Sequence, residues 1–268
     1  MKLLLLACVY CVALSLEGVA SAQEAEVIPI STFDHSHAGF TLVLQEFVTL
    51  VGVTSYVNYR ELKRNDAGLN HYLSQVSAVT KAQFGSFSEA QQIAFLVNVY
   101  NAFTLKLVID HYPVESIKDI GGFFGSPWKQ KIVALFGKFF TLDDVEHRML
   151  RKDYQEARIH FVLVCAAKGC PRLHNEAYHA DELEQQLEGA ARTFLRDTSR
   201  NRFDALQSRL YLSKLFSWFG GDFDRKYGSV RAYVARHISA QPVVQEQIVN
   251  GDISIAYTDY DWSLNDVL

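Results

Sequence analysis

Ser88-Glu89-Ala90-Gln91, followed by QIAFLVNVYNAFTLKLVIDHYP at 92–113, is the stretch that decides the architecture. A serine with glutamine three residues on is a capping box: each side chain can satisfy the other's free backbone N–H at a helix start. Pro113 disfavours helical geometry at Tyr112, so the helix is expected to run to about His111. It is apolar on nearly every face, the mark of a helix buried in the middle of a domain. Asn98, Asn101, Thr104 and Lys106 interrupt the apolar run, which argues against a membrane span. Asn98 and Asn101 lie three apart on one face. Buried amides need partners, so that face should meet a polar network or a site.

The neighbouring elements read outward from this helix. Downstream, Gly121-Gly122 and Gly125-Ser126-Pro127-Trp128 make a loop. Lys131 to Leu135 and Lys138 to Leu142 read as two strands turning near Gly137. A helix opens at Thr141 or Leu142, with acidic residues in its first turn as the helix dipole favours. Arg158 to Ala167 is rich in β-formers and is expected as a strand, with Lys168 to Leu173 as its exit loop. Asp181 to Arg196 is an amphipathic helix turning Leu183, Leu187, Ala191, Phe194 and Leu195 inward. A strand at Arg209 to Leu212, helices at Ser229 to Ile238 and Pro242 to Asn250, and a strand at Ile253 to Tyr260 complete the pattern. Upstream, Gly39 to Val53 has helical apolar spacing at Leu42, Leu44, Phe47, Val48 and Val51, and Asn58 to Val79 continues in short helices. There is no internal repeat and no shift of composition. The expected fold is a single α+β domain over 41–268, a small and mostly antiparallel sheet around one long buried helix with flanking helices, preceded by a loose arm at 23–40.

Composition excludes several classes. The 268 residues are 49% hydrophobic and 21% charged, and 26 basic against 30 acidic residues leave a net charge of −4. That is a globular composition without the basic footprint of a nucleic-acid binder. Lys2, the apolar run Leu3 to Leu16 and the small residues Ala20-Ser21-Ala22 read as a cleavable leader with a cut after Ala22. Leu5-Leu6-Ala7-Cys8 resembles a lipoprotein box, but cutting there would leave almost no apolar region. The expected product is periplasmic or secreted, with no membrane span after cleavage. Of four cysteines, Cys8 and Cys11 leave with the leader, so Cys165 and Cys170 would enter an oxidising compartment.

FLVNVYNAFTL at Phe95 to Leu105, TLDDVEHRML at Thr141 to Leu150, HFVLVCAAKGCPRL at His160 to Leu173 and YDWSLND at Tyr260 to Asp266 occur in order. Together they resemble the family catalogued as domain of unknown function 547, found in secreted bacterial and in plant proteins. The resemblance runs from about Leu42 to Leu268 and is strongest from Ser88 to Leu215. It implies no settled activity; a relation to papain-like or transglutaminase-like thiol enzymes is the expectation attached to it.

The residues themselves offer a constellation for thiol chemistry: Asp143, Glu146, His147, His160, Cys165 and Cys170. A free thiol ionises near pH 8.5 and needs an imidazole to take its proton and a carboxylate to orient that imidazole. Cys170, in a loop before Pro171, is the expected nucleophile and His147 the expected base. Asp143 lies one helical turn before His147, while Glu146 points about 100° away toward a different neighbour. On a regular strand His160 and Cys165 would face opposite ways. Backbone amides at Ala167 to Gly169, or the Asn98 side chain, would serve an oxyanion.

The same residues support other readings. Cys165 and Cys170 are spaced for a short disulfide, for a redox pair lacking the thioredoxin-like spacing, or for two inert buried thiols. His147 and His160 can be packed or capping histidines, and Asn98 and Asn101 structural amides. A zinc site lacks both C-x-x-C and H-E-x-x-H, so neither metal nor cofactor is expected. The leading expectation is a thiol hydrolase or acyl transferase acting on an amide or ester of a peptide or cell-envelope substrate. The competing one is a non-catalytic envelope binding or scaffolding domain stapled by a Cys165–Cys170 disulfide.

Overall fold

The computed structural model describes residues 33–122 and 125–267, so the expected leader at 1–22 and residues 23–32 of the expected arm lie outside the described residues. The capping box forms at the expected place. Ser88 accepts from the Gln91 N–H, the Gln91 side chain accepts from the Ser88 N–H, and α5 runs Glu89–His111. From Ile93 to Ile109 only Lys106 escapes burial. The helix has the length and hydropathy of a membrane span but lies inside the protein.

Before α5 come α1 (Ala38–Phe47), α2 (Tyr59–Arg64), α3 (Ala67–Ala78) and α4 (Lys81–Ser86). The helix read into Gly39–Val53 is shorter than expected. It stops at Phe47, and β1 (Val48–Val51) pairs antiparallel with β2 (Thr54–Val57) across Gly52, whose φ is 57°. Val48, Thr49 and Val51 are β-branched and sit beside a glycine free to turn, so the hairpin outcompetes two more helical turns. Leu42, counted as an inward position, is 67% exposed.

After α5, β3 (Val133–Leu135) and β4 (Lys138–Phe140) form the expected hairpin, with Gly137 at φ 71°. Next comes α6, a π-helical stretch Asp144–Leu150 continued by Arg151–Asp153. α7 (Leu183–Leu195) buries the five residues assigned to its inner face. β5 (Arg202–Asp204), β6 (Arg209–Ser213) and β7 (Ser254–Thr258) make a three-stranded sheet, β5 antiparallel and β7 parallel to β6. The expected α+β class holds, with the strands divided among three small sheets rather than gathered in one.

Two further segments differ from expectation. Lys214–Tyr227 forms α8, an element hidden in the sequence by Gly220-Gly221. Each helical glycine costs about 1 kcal/mol against alanine, so the pair reads as a turn. Here Gly220 gives close approach instead: a Cβ on it would come within 3.3 Å of Val230 Cγ2, on the following helix α9 (Val230–Ile238). α10 (Pro242–Asn250) completes the helices.

The second correction concerns Arg158 to Ala167, which is not a strand. Ala157–Phe161 is a 3-10 helix and Ala166 has φ 56°. The backbone beyond it pairs with a side chain instead of a sheet. Asn101 donates through Nδ2 to the Val162 carbonyl at 2.9 Å and accepts from the Val164 N–H at 3.0 Å. One amide thus does the work of a neighbouring strand, and the buried polar groups stay satisfied.

Finally, the C-terminal segment threads back into the domain. The Lys168 N–H donates to the Ser263 carbonyl at 2.8 Å, Gly169 N–H to Asp261 at 2.8 Å and Val57 N–H to Asn265 at 2.9 Å. Tyr260 and Trp262 are thereby brought beside the Cys165–Cys170 loop.

Candidate functional site

A cleft of ≈ 190 Å³ opens between α6, the Cys165–Cys170 loop, α8 and the C-terminal segment. Asp143, Glu146, His147, His160, Cys165 and Cys170 all line it. Asn98, the side chain offered as an oxyanion donor, does not reach it. Its Nδ2 donates to the Tyr178 carbonyl at 2.6 Å, and its Oδ1 accepts from the Tyr178 N–H at 2.9 Å. With both ends engaged and no exposure, it is a structural amide and not an oxyanion donor.

Loss of the strand removes the reason for separating His160 from Cys165. His160 sits in the 3-10 turn, 3% exposed, with its ring stacked on Phe219 at 3.9 Å between centroids. Its Nε2 lies 2.7 Å from Asp222 Oδ2, and Nδ1 lies 3.8 Å from Glu146 Oε1. Burial lowers the His160 pKa, against the pull of Asp222, so the ring is neutral near pH 7. Asp222 itself is held well below the usual carboxylate range. The hydrogen bonds from His160 and Arg151 outweigh the cost of its burial. An Nε2–H donated to Asp222 leaves the basic lone pair on Nδ1, the geometry of an oriented general base.

His147 is arranged differently. Arg151 Nη1 is 3.1 Å from its Nδ1, whereas Glu146 Oε1 is 3.8 Å from Nδ1 and Asp143 Oδ1 is 3.9 Å from Nε2. Neither carboxylate holds the ring by a hydrogen bond. The guanidinium can only donate, so the neutral ring keeps its proton on Nε2 and its Nδ1 lone pair is already engaged. Burial first, then Arg151, lower its pKa. The stronger candidate base is therefore His160. The signal missed was Asp222, which lies in the unrecognised helix α8, 62 positions away.

Glu146 is central to the cleft. Burial pushes its carboxyl up to about 7, against the favourable charge of Arg151. It stands between the two imidazoles rather than turned away from them.

Cys165 and Cys170 are joined in a disulfide, with Cα atoms 6.3 Å apart. Two donors meet at the Cys170 sulfur: the Cys165 backbone N–H at 2.9 Å and the Tyr260 hydroxyl at 3.2 Å. The same hydroxyl is 3.0 Å from the Cys165 sulfur. Arg200 holds the loop from behind, donating to the carbonyls of Lys168, Gly169 and Cys170 at 2.7, 3.1 and 2.9 Å. Among the described residues no three His, Cys, Asp or Glu side chains converge as metal ligands would.

No curated protein and no solved structure matches the chain. Residues 84–195 match the family model described as "Protein of unknown function, DUF547". The matched stretch holds α5, α6, the His160 turn and the Cys165–Cys170 loop, while Asp222, Trp218, Tyr260 and Trp262 lie beyond it. Over residues 84–195, the chain is similar to the DUF547 family.

Proposed function

We propose that this cleft is the active site of an exported thiol enzyme, a hydrolase or acyl transferase for amide or ester bonds, held in an oxidised resting form by the Cys165–Cys170 disulfide. The observation that carries the reading is the meeting of an oriented Asp222–His160 pair and a cysteine sulfur with two hydrogen-bond donors on one cleft. Hydrogen bonds to a charged sulfur favour the thiolate, so those donors would lower the Cys170 pKa once the disulfide opens. The leader read at 1–22 and the disulfide both fit an oxidising compartment.

A dithiol reductant gives two electrons and two protons to the disulfide and becomes a disulfide itself, leaving two thiols. His160 Nδ1 takes the Cys170 proton and the sulfur adds to the substrate carbonyl carbon, moving the C=O π electrons onto oxygen. Collapse of that intermediate breaks the C–N or C–O bond. The leaving amine or alkoxide takes the proton from His160, and a thioester remains on Cys170. Water, or an acceptor amine or hydroxyl, then attacks the thioester, releasing product and restoring the thiol. Asp222 holds His160 in orientation throughout.

A second reading, a non-catalytic envelope module with a structural disulfide, is favoured by the bond itself. Iodoacetamide labelling of the reduced native protein from pH 5 to 8 separates the two. The enzyme reading expects Cys170 to alkylate rapidly well below pH 8, and Asp222→Asn to move that labelling to higher pH. Slow labelling of both sulfurs across the range, or indifference to Asp222→Asn, leaves the structural reading standing.

A further inference from the structure

We infer that the cleft binds a cationic substrate group, an organic ammonium carried beside the scissile bond, and excludes anionic ones. The inference rests on the proposed reading only in taking this cleft as the substrate site; its test needs no turnover.

The first observation is the charge of the walls. Asp143 and Glu146 both line the cleft, and among the described residues none that lines it is lysine or arginine. The Arg151 guanidinium is already committed: its Nε and Nη2 are on Asp222 at 2.7 and 3.1 Å, its Nη1 is 3.1 Å from His147 Nδ1, and it lines a neighbouring depression. An anion entering here would meet two carboxyl groups and only cations already engaged elsewhere, whereas an ammonium would be attracted in a partly desolvated setting.

The second observation is the aromatic wall. Trp128, Trp218, Phe219, Tyr260 and Trp262 line the same space. Tyr260 is 4.6 Å from Trp262 and 4.9 Å from Trp218 between ring centroids, so the rings form one continuous surface. Their faces carry the negative end of the ring quadrupole, and tryptophan attracts cations most strongly of the aromatic side chains.

The third observation is that this cluster already holds a cation. The Lys118 ammonium, from a residue that does not line the cleft, sits 3.9 Å from the centre of the Trp262 ring. Aromatic faces and carboxyl groups on one concave surface are the ingredients of ammonium recognition. The ligand class is thus a primary or substituted ammonium on a short aliphatic arm, such as a diamino-acid side chain.

All three tryptophans of the chain line this cleft, so intrinsic fluorescence reports on it without a label. The probes are acetyl-lysine amide, its neutral analogue acetyl-norleucine amide, acetyl-glutamate amide and cellobiose, titrated into the native oxidised protein at low ionic strength. The expected result is saturable quenching by the lysine amide, with affinity about tenfold above the norleucine amide and no response to the glutamate amide. Asp143→Asn and Trp218→Leu are each expected to weaken the lysine amide several-fold while circular dichroism stays unchanged, and 0.5 M salt to weaken it in the parent protein. Equal binding of the lysine and norleucine amides, tighter binding of the disaccharide, or no saturation by any probe overturns the inference. If ammonium binding holds while Cys170 proves inert, the enzyme reading fails alone. If Cys170 is reactive and the lysine amide has no advantage, the ammonium inference fails alone.

Discussion

Asp222 Oδ2 lies 2.7 Å from His160 Nε2 and joins α8 to a 3-10 turn that precedes it by 62 residues. The same carboxylate is held by Arg151 and by Arg225. One side chain from an unrecognised helix therefore anchors the cleft's candidate base and pairs with two guanidinium groups.

Asp222→Asn should cost stability as well as reactivity. Its side chain is 10% exposed, and removing its charge leaves Arg151 and His160 short of an acceptor. The expected loss is about 2–4 kcal/mol at pH 7, read by urea denaturation. Asp222 has a depressed folded pKa, so its contribution is full above the unfolded value near 4 and is lost as pH falls toward the folded one. The gap between parent and variant should therefore narrow below pH 4. A constant gap down to pH 2 would show that the carboxylate charge is not what matters.

Glu146→Gln should raise stability at alkaline pH. The folded carboxyl is pushed up to about 7, so folding favours its protonated form. That contribution is full below the unfolded value near 4.5 and lost as pH rises through 7. The groups bearing on it are Asp143 and His147 on its own helix, Tyr100 on α5, Arg151, His160 and Asp222. At pH 8.5 the glutamine variant should be about 1–3 kcal/mol more stable than the parent, with little difference at pH 4. In the parent, lysine-amide affinity should climb between pH 6 and 8 as Glu146 ionises, and in the variant it should not. Parallel stability curves would refute the assignment.

His37 should shape the acid limb of the stability curve. It is 1% exposed, its Nδ1 lies 2.7 Å from the Tyr72 hydroxyl, and its Nε2 has no partner. Burial pushes its pKa down to about 3, helped by His35 and opposed by Asp34. Below its unfolded value near 6.5 the unfolded chain binds a proton that the folded chain does not, so stability falls as pH drops from 6.5 toward 3. His37→Asn, which tolerates the native φ of 51°, should flatten the slope between pH 4 and 6 by up to about 1.4 kcal/mol per pH unit. An unchanged slope in denaturation series at those pH values would remove His37 from the account.

Asn101→Ala should loosen the approach to the cysteines. It strips partners from the buried Val162 carbonyl and Val164 N–H. At about 1–3 kcal/mol for each orphaned group, the expected loss is roughly 3–5 kcal/mol. Hydrogen exchange at Val164 should quicken; protection equal to the parent's would mean another group replaces the amide.

Gly169→Ala should move Tyr260 off the sulfurs. A Cβ there would come within 2.9 Å of the Asp261 backbone and of Tyr260 Cδ1, so the C-terminal segment must shift. The reduced protein should then need a higher pH for Cys170 labelling, as Tyr260→Phe also would. Labelling unchanged in both variants would mean the hydroxyl does not tune the thiol.

Local signals carried much of the fold. The Ser88–Gln91 box, Pro113, the Gly137 hairpin and the apolar stripe of α7 act within a few residues of their cause, and each appears where the sequence placed it. The candidate cluster was legible too, since Asp143, Glu146, His147, His160, Cys165 and Cys170 meet on one cleft. The sequence could not reveal which base was oriented, or by what. A β-rich run became a 3-10 turn because Asn101, more than sixty residues away, satisfies its backbone, and a paired glycine stayed helical because Val230 packs against it. Helix caps and hairpin turns are settled by neighbours in the chain. Partners such as Asp222 for His160 and Tyr260 for Cys170 depend on which distant segments fold into contact, and local periodicity carries no record of that.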